Sequence, residues 1–535
     1  MKKKTLTILF IIAVYLNSFG QNAPFAIKLE PISIEGLFGV QSFAFGQADG
    51  KWLIVGGRLD GLHKRQPFAS FDVAGHNNQL IVIDPITKQK WTAPLTSLSV
   101  GIQEQLSSTN MEFFQQDSIL YFIGGYGYSN TAFDHVTYSN LTAINVPLVI
   151  NAVINGSTFN TYIKQITDSK FAVTGGRLEK IYNTFYLVGG QKFDGRYNPM
   201  NNPTFTQAYT SQIRKFTINN TGNSITINHF PAITDTANLH RRDYNVLPQI
   251  MPNGQEGLTA FSGVFQTKAD IPYLNCVNID SSGYTVNNAF SQYYNHYHCA
   301  NFHLYSAKQN EMHSVFFGGI AQYYDNLGVL VQDNNAPFVK TIARVTRNGN
   351  GVMTEYKLPV EMPALLGAGS ELIPVENLPN YPNKVLKFDN ISTDTTLVGY
   401  IFGGINSTAP NIFNINSGSQ SSANNQLFKV LLIKNGIVGI DKINNQSNNS
   451  LQMQVYPNPN QGSFIVKFVL KQKTKLKISI FDLKGKELLN EENNNFSIGE
   501  NNHSFQLNNQ SNIGTYIITI KTEYESASQK VIIHP

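Results

Sequence analysis

Cysteine and tryptophan are nearly missing from this chain: Cys276 and Cys299, Trp52 and Trp91 are all it has in 535 residues. A disulfide framework is thereby excluded. At most one bridge can form, and the alternative is two small apolar side chains in a core. The C-x-x-C and H-E-x-x-H metal patterns do not occur, and neither does a phosphate-binding glycine loop or a Ser-His-Asp signature. Charge is also sparse, at 14% of residues, and the net +5 is spread out with no basic block beyond the N-terminus. That leaves no electrostatic footprint for nucleic acid. No apolar run is long enough to span a bilayer comfortably, so no transmembrane segment is expected.

What is present begins with MKKKTLTILFIIAVYLNSFGQN, where three lysines precede an apolar run from Leu6 to Leu16. Ser18 and Gly20 then supply a small-x-small cleavage site, so residues 1–20 read as a secretory signal peptide. No cysteine follows that site, so no lipid anchor is expected. Aromatics at 12%, with abundant Asn, Thr and Gly, suit an all-β chain with many turns.

One phrase recurs along the chain. WLIVGG ends at Gly57, YFIGG at Gly125, YLVGG at Gly190, VFFGG at Gly319 and YIFGG at Gly404. The first two intervals are 68 and 65 residues. The third, 129, is two steps, and its midpoint holds a degenerate copy, LTAFSGVF, with Ser262 and Gly263 in the paired positions. The last, 85, contains an insertion near Glu376–Asn390. Gly175–Gly176 falls out of register and is assigned to the strand before YLVGG. Pro31, Pro94, Pro231 and Pro359 mark ends of extended segments at compatible spacing, where proline breaks no ladder. Further fourth-strand ends are expected near 162–166 and 290–294.

Between the two markers lie apolar–turn–apolar hairpins, as in NQLIVIDPITKQKW (78–91) and ARVTRNGNGVMTEYKL (343–358). Four strands at a fixed period make one repeat that cannot bury both faces alone. Six repeats fit between residue 25 and about 440. FAIKLEPIS (25–33) has the form of a fourth strand with nothing before it, and QLFKVLLIKNG (426–436) is a third strand without a fourth. The N-terminal strand is therefore expected to complete the last repeat and remove its open edge. These strand–Gly-Gly–loop–strand repeats resemble kelch-type β-propellers, over a period longer than that family's usual one. The resemblance implies an all-β, six-bladed β-propeller over 21–440.

After a polar linker, 441–450, the alternation in KLKISIFDL and GTYIITIKT predicts half-buried strands. This tail, 451–535, resembles the C-terminal sorting domain of the type IX secretion system. The resemblance rests on Tyr456-Pro457-Asn458-Pro459, Gly462, Ile480-Phe481-Asp482 with Gly485, Gly514-Thr515-Tyr516 and the final Lys530-Val531-Ile532-Ile533. It implies a small β-sandwich, recognition by the outer-membrane machinery and an extracellular or surface-attached product.

In a propeller the first strands line a central channel. They are expected near Ser42–Gly46, Ser108–Phe113, Phe171–Lys180, Arg241–Leu247, Tyr297–Tyr305 and Gly367–Leu372. Their ionisable residues include Glu112, Arg177, Arg241, Arg242, Asp243, His298, His303 and Glu371. Of these, Arg177, Arg241, Arg242, Asp243, His298 and Glu371 are the channel-mouth candidates. Mixed arginines and carboxylates there suit an anionic sugar, or equally a self-satisfied polar network around channel water. In YYNHYHCANFH (293–303), His296 and His298 would share one strand face and are the candidates for a metal. Galactose-oxidase-like kelch enzymes use such residue types around copper, but the spacing here does not match theirs, and no cofactor is expected. Sialic-acid mutarotase-like propellers are the other enzymatic relatives the resemblance brings in. Tyr126, Tyr128, Tyr197, Tyr323 and Tyr324 follow the Gly-Gly pairs, either as an aromatic ligand face or as packing between repeats. The reading is an exported, monomeric glycan- or protein-binding module, with a carbohydrate-active enzyme or a structural surface component as alternatives.

Overall fold

The computed structural model describes residues 23–200, 204–326, 328–434, 451–482, 487–493, 496–507, 514–522 and 526–534. The signal-peptide segment, the polar linker and Gly485 lie outside them. The chain divides into two compact units, Met1–Gly436 and Ile437–Pro535. Among the described residues it is all-β but for two short α-helices, Val100–Leu106 and Val146–Asn155, and a few single 3-10 turns.

Among the described residues the first unit contains six sheets that share a four-stranded antiparallel, up-and-down core; two of them carry a fifth strand, and four two-stranded hairpins lie outside them. The innermost strands are Ala44–Ala48, Glu112–Gln116, Arg177–Ile181, Asn245–Ile250, Asn301–Ser306 and Ser370–Pro374, each overlapping its expected window. Second strands such as Lys51–Val55 and Thr184–Val188 end at their Gly-Gly pairs, while Glu311–Ile320 runs through its pair. In the sixth sheet the outermost strand is the N-terminal one, Phe25–Ile32, paired along its whole length with Leu427–Lys434. In the fourth sheet the outer strand is Tyr284–Asn287 and stops short of 290–294, which form an irregular segment.

Apolar residues fill the space between successive sheets. Leu53, Val55, Leu80 and Val82 of the first sheet pack with Leu120, Phe122 and Ile144 of the second. Other wedges follow between second and third, third and fourth, fourth and fifth, and fifth and sixth. Trp52, Ile54, Ile81 and Ile83 then meet Ile373, Tyr400, Phe402 and Leu427, so the sixth sheet packs back onto the first.

Two sets of backbone hydrogen bonds follow the same circuit. Each strand-initiating residue donates to its counterpart in the preceding sheet: Asn110 to Ser42, Gly175 to Asn110, Asp243 to Gly175, His298 to Asp243, Gly369 to His298, and Ser42 to Gly369, at 2.7–3.1 Å. The second residue of each Gly-Gly pair donates in the other direction. Gly57 bonds Ser108, Gly125 bonds Val173, Gly190 bonds Arg241, Gly263 bonds His296, Gly319 bonds Leu366 and Gly404 bonds Val40.

This accounts for the glycines. Both residues of the 124–125 pair have positive φ, and a Cβ on Gly124 would lie 1.9 Å from the carbonyl oxygen of Val173. No side chain fits so close to a neighbouring backbone. Ser262 replaces the first glycine in the fourth sheet at φ 49°, where its hydroxyl donates to the Tyr273 carbonyl.

The helix Val146–Asn155 interrupts the second sheet where the repeat leads one to expect only a hairpin, and it packs on the first sheet. Its run of Val, Leu and Ile suits a strand. The ends decide otherwise: the Asn145 side chain caps Leu148 N–H, Pro147 sits in the first turn, and Gly156 closes the helix at φ 63°.

In the second unit Gln454–Tyr456, Ser463–Leu470 and Gly499–Gln506 form one sheet. Glu487–Asn493, Leu476–Asp482, Gly514–Lys521 and Ser526–Ile533 form the other. Val466, Phe468, Ile478, Ile480, Ile518 and Val531, from both sheets, share one core.

Candidate functional site

At the strand-initiating ends of the innermost strands lies a small polar cavity of about 20 Å³, room for about one water. Ser42, Phe43, Asn110, Met111, Phe113, Gly175, Gly176, Arg177, Asp243, Tyr244, His298 and Glu371 line it. Four of the six circuit residues, Ser42, Asn110, Asp243 and His298, thus present side chains to one space. The other two circuit positions are glycines, and a Cβ on Gly175 would lie 2.7 Å from Asp243 Oδ1.

The floor is an ion cluster across the axis. Arg177, from the third sheet, approaches Glu371 of the sixth with Nη1 3.5 Å from Oε1. His298 Nε2 lies 2.8 Å from the same oxygen and 3.2 Å from Arg177 Nη1. A carboxylate can only accept, so Nε2 carries the proton and donates to Glu371. Burial pushes the Glu371 carboxyl up, but the His298 and Arg177 charges and hydrogen bonds more than offset it, and its pKa is lowered. Deeper along the Arg177 strand, Glu179 is pushed up to about 8 by burial, against the pull of Arg177 and Lys384. The pattern i, i+2 could have placed Glu179 on this face, but nothing in the sequence marked Lys384 as its neighbour.

The remaining candidates fall elsewhere. Arg241 is fully buried and does not line the cavity; its guanidinium donates to the carbonyls of Asn238, Ser262 and Asn275 and lies over the Tyr273 ring. Arg242 pairs with Asp243 and donates to the Tyr209 hydroxyl at 2.9 Å. The shared strand face expected for His296 and His298 does not exist, because 293–300 is irregular and the strand starts at Asn301. His296 is fully buried with both ring nitrogens engaged: Nδ1 accepts from Gln322 N–H and Nε2 donates to the Gln292 carbonyl. It has no lone pair left for a metal. Glu112 lies behind the cavity wall, accepting from Gly176 N–H, and burial raises its pKa well above the usual range. His303 is a buried ring with Nδ1 unpartnered. Cys276 and Cys299 are free, buried thiols, each pushed up to about 12 by burial. Tyr126 is buried and bonded to the Gly195 carbonyl, which is packing between sheets.

The opposite end of the axis is crossed by the insertion. Gly50 N–H donates to Glu376, Asn383 donates to the Gln249 carbonyl, and Lys384 Nζ donates to the Gln115 carbonyl. Leu386–Lys387 adds a parallel strand beside Asn301–Ser306. Residues 375–391 thus reach the first turn of the first sheet and the innermost strands of the second, fourth and fifth sheets. The sequence showed the extra length but not its destination.

In the second unit the Tyr456–Pro459 motif holds the terminal strand. Asn458 donates to the Lys530 carbonyl at 2.6 Å and accepts from Ile532 N–H at 2.8 Å. Asn460 adds a backbone bond to Ile532. Tyr456 is partly exposed, whereas Tyr516 is in the core. Residues 454–534 match the secretion system C-terminal sorting domain. The sorting domain marks proteins exported through the type IX secretion system, so this protein is delivered to the cell surface or the extracellular space.

No curated protein matches the chain with significance. Among solved structures it is similar to YjhT, at 10% identity and a TM-score of 0.39, covering 75% of this chain and 100% of that one. A RAG chain in complex with one melted and one unmelted RSS aligns at 11% identity and 0.33, covering 66% and 97%. Dimeric latent PorU from Porphyromonas gingivalis aligns at 8% identity and 0.14, covering 80% and 33%. These overlaps are too loose to define the fold, which rests on the pairings of the chain itself.

Proposed function

We propose that residues 25–434 form a six-bladed, kelch-like β-propeller whose sixth blade is closed by the N-terminal strand. In this reading it is an exported, monomeric recognition module for a glycan or protein ligand. A signal peptide takes it across the inner membrane, and its sorting domain engages the type IX machinery at the outer membrane. The two opposed circuits of backbone bonds and the six apolar wedges support the architecture.

One observation carries the function: Arg177, Asp243, His298 and Glu371 come from four different sheets to one cavity. The frame does not require the Asp243 and His298 side chains, since Gly175 and Gly369 fill equivalent circuit positions without any side chain. Convergent polar groups in a concave site are what ligand recognition uses. Screening the full chain against glycan arrays and candidate surface proteins tests this. Binding that Arg177→Ala abolishes in protein still folded by circular dichroism is the expected result. Binding that the substitution leaves untouched contradicts it.

A carbohydrate-active enzyme of epimerase or mutarotase type is the second reading, favoured by the His298–Glu371 hydrogen bond, which poises a proton between a base and an acid. Exchange of sugar anomers or product formation by the wild type, lost in His298→Asn, would support it over binding alone.

A further inference from the structure

A larger cavity, of about 270 Å³, lies off the axis in the cleft between the first and second sheets. It shares no lining residue with the mouth cavity. Three stretches build it: 73–78 before the third strand of the first sheet, 94–107 between the two sheets, and 128–130 after the Gly-Gly pair of the second. Its volume is close to the roughly 300–1,000 Å³ typical of ligand pockets, and one long side chain fits it.

The charge in this cleft is unbalanced. Glu104 lines it and is only 8% exposed. Its carboxylate accepts from Ser129 Oγ at 2.9 Å and from Asn130 N–H at 2.8 Å, which uses about half of its roughly four acceptor sites. Among the described residues it forms no ion pair. His76, the basic group in the lining, does not supply one. Its Nδ1 donates to the Ser107 carbonyl at 2.9 Å, and burial and the Arg58 charge push it down to about 4, so the ring is neutral near pH 7. A carboxylate this buried is normally paired. The partner it lacks is a cation entering from outside.

The other lining groups suit a guanidinium. The Gln103 amide nitrogen donates to the Leu98 carbonyl at 2.6 Å, which leaves its oxygen free. The Asn78 and Asn130 side chains are exposed and make no hydrogen bond among the described residues. Tyr128 adds a half-buried ring. Spread oxygens and an aromatic ring fit the planar fork of arginine better than the point charge of lysine. Leu95 and Val100 offer apolar surface to the methylene stem. Val73 and Val100 are half exposed, and Phe133, on the turn that carries Asn130, is 82% exposed. The rim thus offers apolar contact to residues flanking the arginine. A peptide has such a stem and such flanks, and an amino sugar has neither.

We propose that this cleft binds an arginine side chain of a protein partner, its guanidinium on Glu104 and its stem against Leu95 and Val100. The site is separate from the one at the mouth and does not rest on the reading of that one.

The test is fluorescence anisotropy on the full chain with labelled heptapeptides that carry a central arginine and varied neutral flanks. Each is matched by its citrulline and lysine counterparts, and glucosamine is the competitor. Arginine peptides should bind, and citrulline, which keeps the shape and loses the charge, should weaken binding by at least about ten-fold. Glu104→Gln should weaken it similarly. That variant also disturbs the bonds to Ser129 and Asn130, so Val100→Lys is the second one. It changes a half-exposed residue one helical turn from Glu104 and sets an ammonium beside the carboxylate. It should abolish peptide binding in protein that melts like the wild type. Binding to no peptide, equal binding of arginine and citrulline peptides, or undiminished binding by Val100→Lys overturns the inference. Lysine peptides held as tightly as arginine peptides overturn the choice of a guanidinium. Glucosamine binding without peptide binding overturns the protein partner in favour of an amino sugar. Arg177→Ala should leave peptide binding unchanged, so failure here is distinguishable from failure of recognition at the mouth.

Discussion

The backbone and the side chains at the mouth of the first unit obey different rules. Ser42, Asn110, Gly175, Asp243, His298 and Gly369 occupy equivalent places in one hydrogen-bond circuit, yet as side chains they are a hydroxyl, an amide, nothing, a carboxylate, an imidazole and nothing. The circuit is repetitive because each sheet must lock to the next in the same way. The side chains are free to differ because the backbone alone makes the lock. Repetition therefore reports architecture, and departures from it report function.

The harshest way to break the frame is to remove the closing strand. Deleting 23–32 exposes the edge of Leu427–Lys434 and takes Phe25 and Ile27 from the wedge between the fifth and sixth sheets. The first unit should lose its cooperative unfolding transition in calorimetry. Gly124→Ala comes next. Its Cβ has no room and its φ is 66°, so a loss of about 3 kcal/mol or more is expected in denaturant unfolding. Gly50→Ala, at φ 73° with nothing within 4 Å, should cost only about 1 kcal/mol. Equal losses at the two sites would mean that left-handed geometry, and not the lock, demands glycine.

Smaller effects come from buried titratable groups. Burial pushes His63, His76, His296 and His303 down to about 4 and His313 to about 3. Between about pH 4 and 6.5 the unfolded chain binds protons that these folded sites refuse, so they make stability rise with pH. Glu179 and Glu355 are pushed up to about 8, so from about pH 4.5 to 8 they hold protons in the fold that the unfolded chain has released. Their contribution falls as pH rises. The histidines outnumber them in the shared window, and above it only the glutamates act. Melting temperature should therefore peak near pH 6.5, and Glu355→Gln should flatten the alkaline side. The smallest effect on stability should come from Asn110→Gly, which keeps φ near 51° without strain while removing the cavity amide. Unfolding should change by less than about 0.5 kcal/mol, and ligand affinity should still fall.

For export, removal of 451–535 should leave the protein in the periplasm by fractionation. Normal surface delivery of that truncation would contradict the role of the sorting domain.

Much of the frame was readable before any coordinates. The Gly-Gly period located the second strands, the proline marker located Phe25–Ile32, and their pairing partner followed from what the last repeat lacked. The repeat leads to a hairpin at 146–155, and the helix there is marked only by its local caps, Asn145, Pro147 and Gly156. The site was less legible. Arg241 and Arg242 are adjacent, but one is consumed by carbonyls and the other by Asp243, a difference set by the left-handed turn at Asp243. Arg177 and Glu371 are far apart in sequence and meet only because their sheets oppose across the axis. His296 and His298 would pair on a strand, but the chain turns at 293–300 and separates them.

The most direct test is calorimetric titration of the full chain with a glycan selected by the array, comparing wild type with Asn110→Gly and Arg177→Ala. Both variants should lose at least about ten-fold in affinity; Asn110→Gly should melt like the wild type, whereas Arg177→Ala, which removes a partner of buried Glu371, should melt lower. Undiminished affinity in both would place recognition away from the channel mouth and contradict the account.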